Sequence, residues 1–220
     1  MDPLTLSIAD TDILLLPQRA VYWPAQKMLI IADIHFGKAA AFRAHGIPVP
    51  SGTTTDNLQR LDALIAAYEV AHIVFLGDFL HARAGRAIAT LQALQAWRSR
   101  HPALQLTLVR GNHDSHAGDP PAELNIDVVD EPFACAPFSF CHHPELPHNR
   151  ASGYVLAGHL HPVFRIRSSS DALRLPCFVF GPNGGVLPSF GAFTGGFTID
   201  GQSGERIFVI AEDVVIQIPV

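Results

Sequence analysis

The sequence predicts an α/β fold in which a parallel sheet carries the front half of the chain and a second β sheet the back half. Three observations point there. Short continuous apolar runs, the pattern of buried strands, occupy residues 29–32, 74–76, 106–109, 138–141 and 154–157. Leucines at helical spacing lie between the first three runs, giving a β-α-β-α-β order. Past Pro162 the chain breaks into strand-like pieces separated by Gly, Pro, Asn and Ser, with no helical period.

Taken in order, residues 4–31 read as antiparallel β. Leu4-Thr5-Leu6-Ser7-Ile8 alternates, Asp10-Thr11-Asp12 suits a turn, and 13–16 and 20–23 continue the pattern. Residues 38–44 are alanine-rich and stop at Gly46, a left-handed cap, before Pro48 and Pro50, so a short helix is expected. Leu58, Leu61, Leu64, Ile65 and Tyr68 mark a second helix behind the Ser/Thr-rich start at 51–55. Ile88, Leu91, Leu94 and Trp97 mark a third, between Arg86 and Arg100. The pieces at 164–167, 178–180, 196–199, 206–211 and 214–218 read as a β-meander packed on the first sheet. With no linker or composition break, residues 1–220 are expected to form one domain.

A net charge of −5 speaks against adhesion to nucleic acid or anionic lipid through bulk charge, but bound cations would reverse the local field, so DNA stays open. Cys135, Cys141 and Cys177 are odd in number and show no metal-ligand spacing, which fits a reducing compartment and a cytoplasmic location. No basic leader precedes the first apolar residues, and no stretch reaches the ~20 apolar residues of a membrane span.

The chemistry is concentrated where the five runs end. They deliver, in order, Asp33-Ile34-His35, Gly77-Asp78-Phe79-Leu80-His81, Gly111-Asn112-His113-Asp114, His142-His143 and Gly158-His159-Leu160-His161, and most of the twelve histidines fall there. In open α/β sheets ligands collect beyond the carboxyl ends of the strands. Asp33, His35, Asp78, Asn112, His142, His159 and His161 offer seven oxygen and nitrogen donors without a thiolate. That is too many for one tetrahedral zinc and suits two divalent ions sharing a carboxylate, with Asp78 at the centre. Such a pair turns a bridging water into a hydroxide nucleophile for in-line attack on phosphorus. His113 is placed as general acid for the leaving oxygen, Asp114 as the group that fixes its tautomer, and His81 as a contact to substrate phosphate or a support of the ligands. No Gly-x-Ser-x-Gly elbow or activated cysteine favours covalent catalysis. Arg83, Arg86, His148, Asn149 and Arg150 read as solvated loop polarity, and His45, His72, His101 and His116 as surface or capping residues.

Asp-x-His, Gly-Asp-x-x-His, Gly-Asn-His-Asp, His-His-Pro and Gly-His-x-His, in that order over residues 29–162, resemble the calcineurin-like metallophosphoesterase superfamily. The resemblance implies a two-sheet β-sandwich flanked by helices, four layers α/β/β/α. It also implies one metal on Asp33, His35 and His161, a second on Asn112, His142 and His159, and Asp78 between them, with His142 preferred to His143 as ligand. Tyr22-Trp23-Pro24, residues 32–38, Ile47-Pro48-Val49-Pro50, Gly158-His159-Leu160-His161-Pro162 and the tail at 187–196 are further similar to the bacterial ligase-associated DNA damage response endonuclease (PdeM) family. That likeness implies manganese as the metal, with iron or zinc as alternatives, and cleavage of single-stranded DNA in repair. It also implies functional association with a DNA ligase and a helicase. The residues alone stop at phosphoester hydrolysis, and a small nucleotide, cyclic nucleotide or phosphoprotein remains a rival substrate. A catalytically silent metal scaffold would have lost a ligand or His113, and neither is missing.

Overall fold

The computed structural model describes residues 2–50, 52–145, 151–167, 172–191 and 194–219. The first sheet has seven strands in sequence order: β1 (Leu4–Ile8), β2 (Thr11–Leu16), β3 (Ala20–Trp23), β4 (Met28–Ala32), β5 (His72–Leu76), β6 (Gln105–Val109) and β7 (Asp127–Val129). Pairing is antiparallel from β1 to β4 and parallel from β4 to β7. The parallel crossovers carry α1 (Lys38–Ala44), α2 (Thr53–Ala67) and α3 (Ile88–Arg100), and α4 (Asn112–Ala117) follows β6.

Side-chain alternation explains how the layers stack. On β4, Leu29 and Ile31 face one way, packing with Leu58, Leu61 and Leu64 of α2 and Leu94 and Trp97 of α3. Ile30 and Ala32 face the other way, toward Phe138, Phe140, Leu156, Phe178 and Phe208 of the second sheet. Strand β5 repeats this with Ile73 and Phe75 against Val74 and Leu76. A strand buried on both faces has no polar alternation to show, which is why these runs read as continuously apolar.

The second sheet is built from β8 (Phe133–Cys135), β9 (Phe138–Phe140), β10 (Tyr154–Ala157), β11 (Pro162–Arg167), β12 (Ala172–Phe180), β13 (Gly184–Val186), β14 (Phe197–Ile199), β15 (Arg206–Ala211) and β16 (Val214–Ile218). Its order is β14-β11-β12-β13-β10-β9-β8, with β15 on β12 and β16 on β15. This corrects the expected meander. Strand β10 runs parallel to both β9 and β13, and β11 parallel to β14, so the sheet is mixed. Turn-rich spacing cannot reveal such pairings, because they are made between segments distant in sequence.

The two-sheet sandwich with its helical layer is as expected, and the helices lie on the first sheet. Among the described residues no helix follows Leu124. The far side of the second sheet is closed instead by Cys177, Val179, Ile207 and Val209 packed with Phe164, Leu175, Ile199 and Ile218, all from strands. No helix is long and apolar enough to cross a membrane.

Candidate metal centre

The loops after β4 and β5 are bound to each other before any ligand is considered. His35 N–H donates to Asp78 O at 2.8 Å, Phe36 N–H to Phe79 O at 2.8 Å and His81 N–H to Phe36 O at 3.1 Å. The loop after β13 joins them: Phe190 N–H donates to Ala32 O, Gly191 N–H to Asp33 O and the Ser189 hydroxyl to Asp33 O. Backbone bonds thus fix the ends of β4 and β5 in register, and Asp33 and Asp78 are buried at 0% and 2% exposure.

All seven donors read from the sequence converge on one crevice. Asp33, His35, Asp78 and His161 present ligand atoms within 4.8 Å of one another. Asp78 Oδ2 lies 3.6 Å from His35 Nε2, and His161 Nε2 lies 3.4 Å from both Asp33 Oδ1 and His35 Nε2. Beside this group, His142 Nε2 is 2.8 Å from Asn112 Oδ1, 3.0 Å from His159 Nδ1 and 3.6 Å from Asp78 Oδ1. Asp78 therefore turns one oxygen to each side.

Five of these seven residues have left-handed backbone: Asp33 at φ 52, His35 at 49, Asp78 at 52, His159 at 69 and His161 at 49. For residues other than glycine this conformation costs of order 1–3 kcal/mol each and persists where the surroundings enforce it. It lets Asp33 and His35 both enter the crevice while Ile34 between them turns into the core at 1% exposure. Gly77 (φ 79) is needed for a second reason, since a Cβ there would sit 2.1 Å from His142 Nδ1. Gly77→Ala is expected to push His142 off its position and weaken metal binding by at least the ~10–100-fold seen when a ligand's support is lost. Metal titration followed by calorimetry would show an unchanged affinity if this packing argument were wrong.

The side chains fit divalent cations on their own chemistry. A backbone carbonyl can only accept, so His142 donates Nδ1–H to Leu76 O at 3.0 Å and His161 donates Nδ1–H to Gly195 O at 3.1 Å, which turns both Nε2 atoms into the crevice. Burial pushes the His142 pKa down, so its Nε2 presents a lone pair to the oxygen of Asn112. Two acceptors at 2.8 Å repel unless a cation lies between them. Asp33 Oδ1 is buried without a hydrogen-bond partner. Burial, and then Asp33, raise the Asp78 pKa, while burial drives His35 far below its ordinary range. His161 is raised because Asp33 outweighs its burial. A bound cation would reverse the upward shifts of Asp78 and His161 and reinforce the downward shifts of His35 and His142.

The three residues expected to act on substrate are also here. His113 stacks on His81 at 4.9 Å, donates Nδ1–H to His81 O at 2.8 Å, and brings Nε2 to 3.9 Å from Asp78 Oδ2 with its side chain 39% exposed. Burial lowers the His81 pKa to about 4, leaving that ring neutral. Asp114 does not do what its position beside His113 implied. Its oxygens accept from Phe79 N–H, Leu80 N–H and Gly111 N–H, so it pins the β5 and β6 loops together, and the His113 tautomer is fixed by the His81 carbonyl.

Other groups were not visible in advance. Glu131 accepts from the backbone N–H of His142 and His143 and from His143 Nδ1 at 2.6 Å, anchoring the histidine pair. Lys38, read only as a helix start, lies close enough for Asp78 and Asp33 to raise its pKa against the larger lowering by burial. Arg86 donates to the carbonyls of Ala117, Gly118 and Asp119 and is a structural clamp, whereas Arg83 is exposed. His148, Asn149 and Arg150 lie outside the described residues. A cavity of about 730 Å³ lies elsewhere, against Ala151, Gly153 and Tyr154 at the opposite end of β10.

A two-sheet sandwich with paired Asp and His clusters at its strand ends defines a class, and the chain belongs to it: residues 26–176 match the calcineurin-like phosphoesterase family. It is a metal-dependent hydrolase of a family that uses a dinuclear divalent centre. Among solved structures it is similar to the Pseudomonas putida nuclease MPE, at 44% identity and a TM-score of 0.88, covering 99% of this chain and 100% of that one. Two others are more distant. Protein AQ665 from Aquifex aeolicus, of unknown function, is 18% identical over 61% of this chain and 78% of its own, with a TM-score of 0.41. The Escherichia coli phosphoesterase Yfce is 13% identical over 87% and 97%, with a TM-score of 0.39. No curated protein sequence matches.

Proposed function

We propose that this phosphoesterase is a single-domain, manganese-dependent endonuclease that cleaves single-stranded DNA. In this reading Asp33, His35 and His161 hold one ion and Asn112, His142 and His159 the other, with Asp78 shared. The observation that carries it is the convergence of seven inward-facing donors, with the Asn112 oxygen 2.8 Å from His142 Nε2 and a buried Asp33 oxygen left without a hydrogen-bond partner. Carboxylate, amide and imidazole without thiolate suit manganese, with iron and zinc as competitors for the same donors. When bound, the ions supply Lewis-acid activation of water and neutralise charge at phosphorus.

The chain's own residues supply the rest. His113 Nδ1–H stays donated to the His81 carbonyl, which leaves Nε2, at the rim, as the nitrogen that would hand a proton to the departing oxygen. The stacked His81 ring limits how far His113 can turn. Substrate class is carried over from the Pseudomonas putida nuclease. Action in DNA repair beside a ligase and a helicase, in the cytoplasm, goes with the same reading.

Incubating chelator-stripped protein with circular single-stranded DNA and graded manganese, iron or zinc tests it. Nicking restored best by manganese is expected. Intact circles alongside rapid turnover of a nucleotide would move the assignment to a small phosphoester.

A further inference from the structure

Beside the metal centre, on the His161 side, lies a cavity of about 280 Å³ lined by Arg19, Arg174, His161, Ser189, Thr194 and the chain at Gly195–Gly196, with prolines and Val163 completing its walls. It is close to the lower end of small-ligand pockets, ~300–1,000 Å³. No carboxylate lines it, although the protein as a whole carries a net charge of −5. The two arginines come from segments far apart in sequence.

Each arginine is held at a cost that packing does not explain. Arg19 occupies the turn between β2 and β3 at φ 65, a conformation that suits glycine or asparagine. Burial alone shifts its pKa, downward, so no acidic neighbour compensates it. Arg174 stands directly opposite Arg165 in the β11–β12 ladder, an arrangement of like charges that destabilises a strand pair. Among the described residues neither has a carboxylate partner. Arg174 uses one N–H on Gly196 O at 2.7 Å, which aims its guanidinium at the cavity mouth and leaves its other donors available. A second cavity of about 400 Å³ continues past Arg19 to Arg60, but Glu212 and Asp213 line it, so an anion is favoured in the first.

We propose that Arg19 and Arg174 bind a non-scissile phosphodiester of a nucleic-acid strand whose neighbouring phosphate lies at the metal centre. The subsite would make a strand a better substrate than an ester with one phosphate. This rests on the nucleic-acid reading above and adds to it the residues that recognise the backbone. Arginine forks match phosphate oxygens, and each phosphate contact to a single strand contributes about 0.7 to the slope of log affinity against log salt.

Arg19→Gly is the informative variant, because glycine accepts φ 65 and the fold should survive. Melting temperature is expected to stay level or rise by about 2–4 °C. KM for a thirty-residue oligothymidylate should meanwhile rise at least tenfold. The ratio of oligothymidylate to bis(p-nitrophenyl) phosphate turnover should fall by the same factor. In Arg19→Gly/Arg174→Ala the salt slope of oligothymidylate binding should drop by about 0.7, from the one lost phosphate contact. Arg100→Ala, at an exposed arginine of α3 paired with Asp62 of α2, serves as control and should change neither. Unaltered KM and salt slope in the double variant would overturn the subsite, as would an equal loss on both esters. Wild-type protein that hydrolyses bis(p-nitrophenyl) phosphate yet neither binds nor cuts the oligonucleotide would overturn the nucleic-acid reading and the subsite with it.

Discussion

Asp78→Asn is expected to lower phosphodiester hydrolysis at least about 10³-fold while making the metal-free protein more stable. The two effects have one origin. Asp78 is a buried carboxylate beside a second one, Asp33, and turns its oxygens to His35 at 3.6 Å and to His142 at 3.6 Å. Lewis-acid assistance at phosphorus is worth several kcal/mol, and each 1.36 kcal/mol is tenfold in rate, so losing the shared anion costs three or more orders of magnitude. Asparagine is nearly isosteric and keeps an oxygen for the His113 N–H, now donated to Asp78 Oδ1 at 3.0 Å. It removes the like charge that a cation-free site cannot screen.

The pH dependence gives an independent check. Burial raises Asp78 and lifts Asp114 to about 6, both from an ordinary 3.8. The unfolded chain therefore releases these protons first, and between about pH 4 and 6 the folded state binds more of them. The contribution of these two carboxylates to the stability of the metal-free protein should therefore fall as pH rises through that window, while His35, His81 and His142, which burial lowers, contribute the opposite trend. For Asp114 the loss is of order 3 kcal/mol. Its three backbone N–H donors oppose burial without overcoming it. Chemical denaturation in chelator at several pH values measures this. The stability of wild type relative to Asp78→Asn should fall across the window, and parallel profiles would contradict the raised Asp78 carboxyl.

The strands and helices that position the site were legible because each carries its own periodicity. Residues 38–44 show helix composition, a glycine stop and two prolines, and α1 has those bounds. The seven donors were legible because each follows an apolar run directly. Helix α4 was not, since Asn112–Ala117 is a six-residue helix with too few apolar positions to show a period. Nor was the left-handed backbone at Asp33, His35, Asp78, His159 and His161, where the side chain is kept for its chemistry against its conformational preference. Adjacent residues misled: Asp114 was assigned to His113 because it follows it, yet helical geometry sends the carboxylate back to Gly111 N–H and across to Phe79 and Leu80. Glu131, Arg19 and Arg174 reach the site only through tertiary contacts, which no local spacing encodes.

His113→Ala is expected to separate two substrates that the metal centre treats alike. An alkoxide leaving from a DNA sugar is a strong base and needs a proton as the bond breaks, and a positioned acid supplies ~10²–10⁴-fold of the rate. A nitrophenolate leaves without one. Loss of His113 should therefore lower DNA cleavage within that range while bis(p-nitrophenyl) phosphate hydrolysis falls by less than about tenfold. The geometry supports this separation, because His113 Nε2 stands 3.9 Å from Asp78 at the rim, and its Nδ1 is committed to the His81 carbonyl. His113→Gln supplies a neutral donor without acidity and should not rescue DNA cleavage, which distinguishes proton transfer from hydrogen bonding to phosphate. Equal losses on both esters in His113→Ala would instead make His113 a support of the metal centre, acting through its ring contacts to His81 and Asp78.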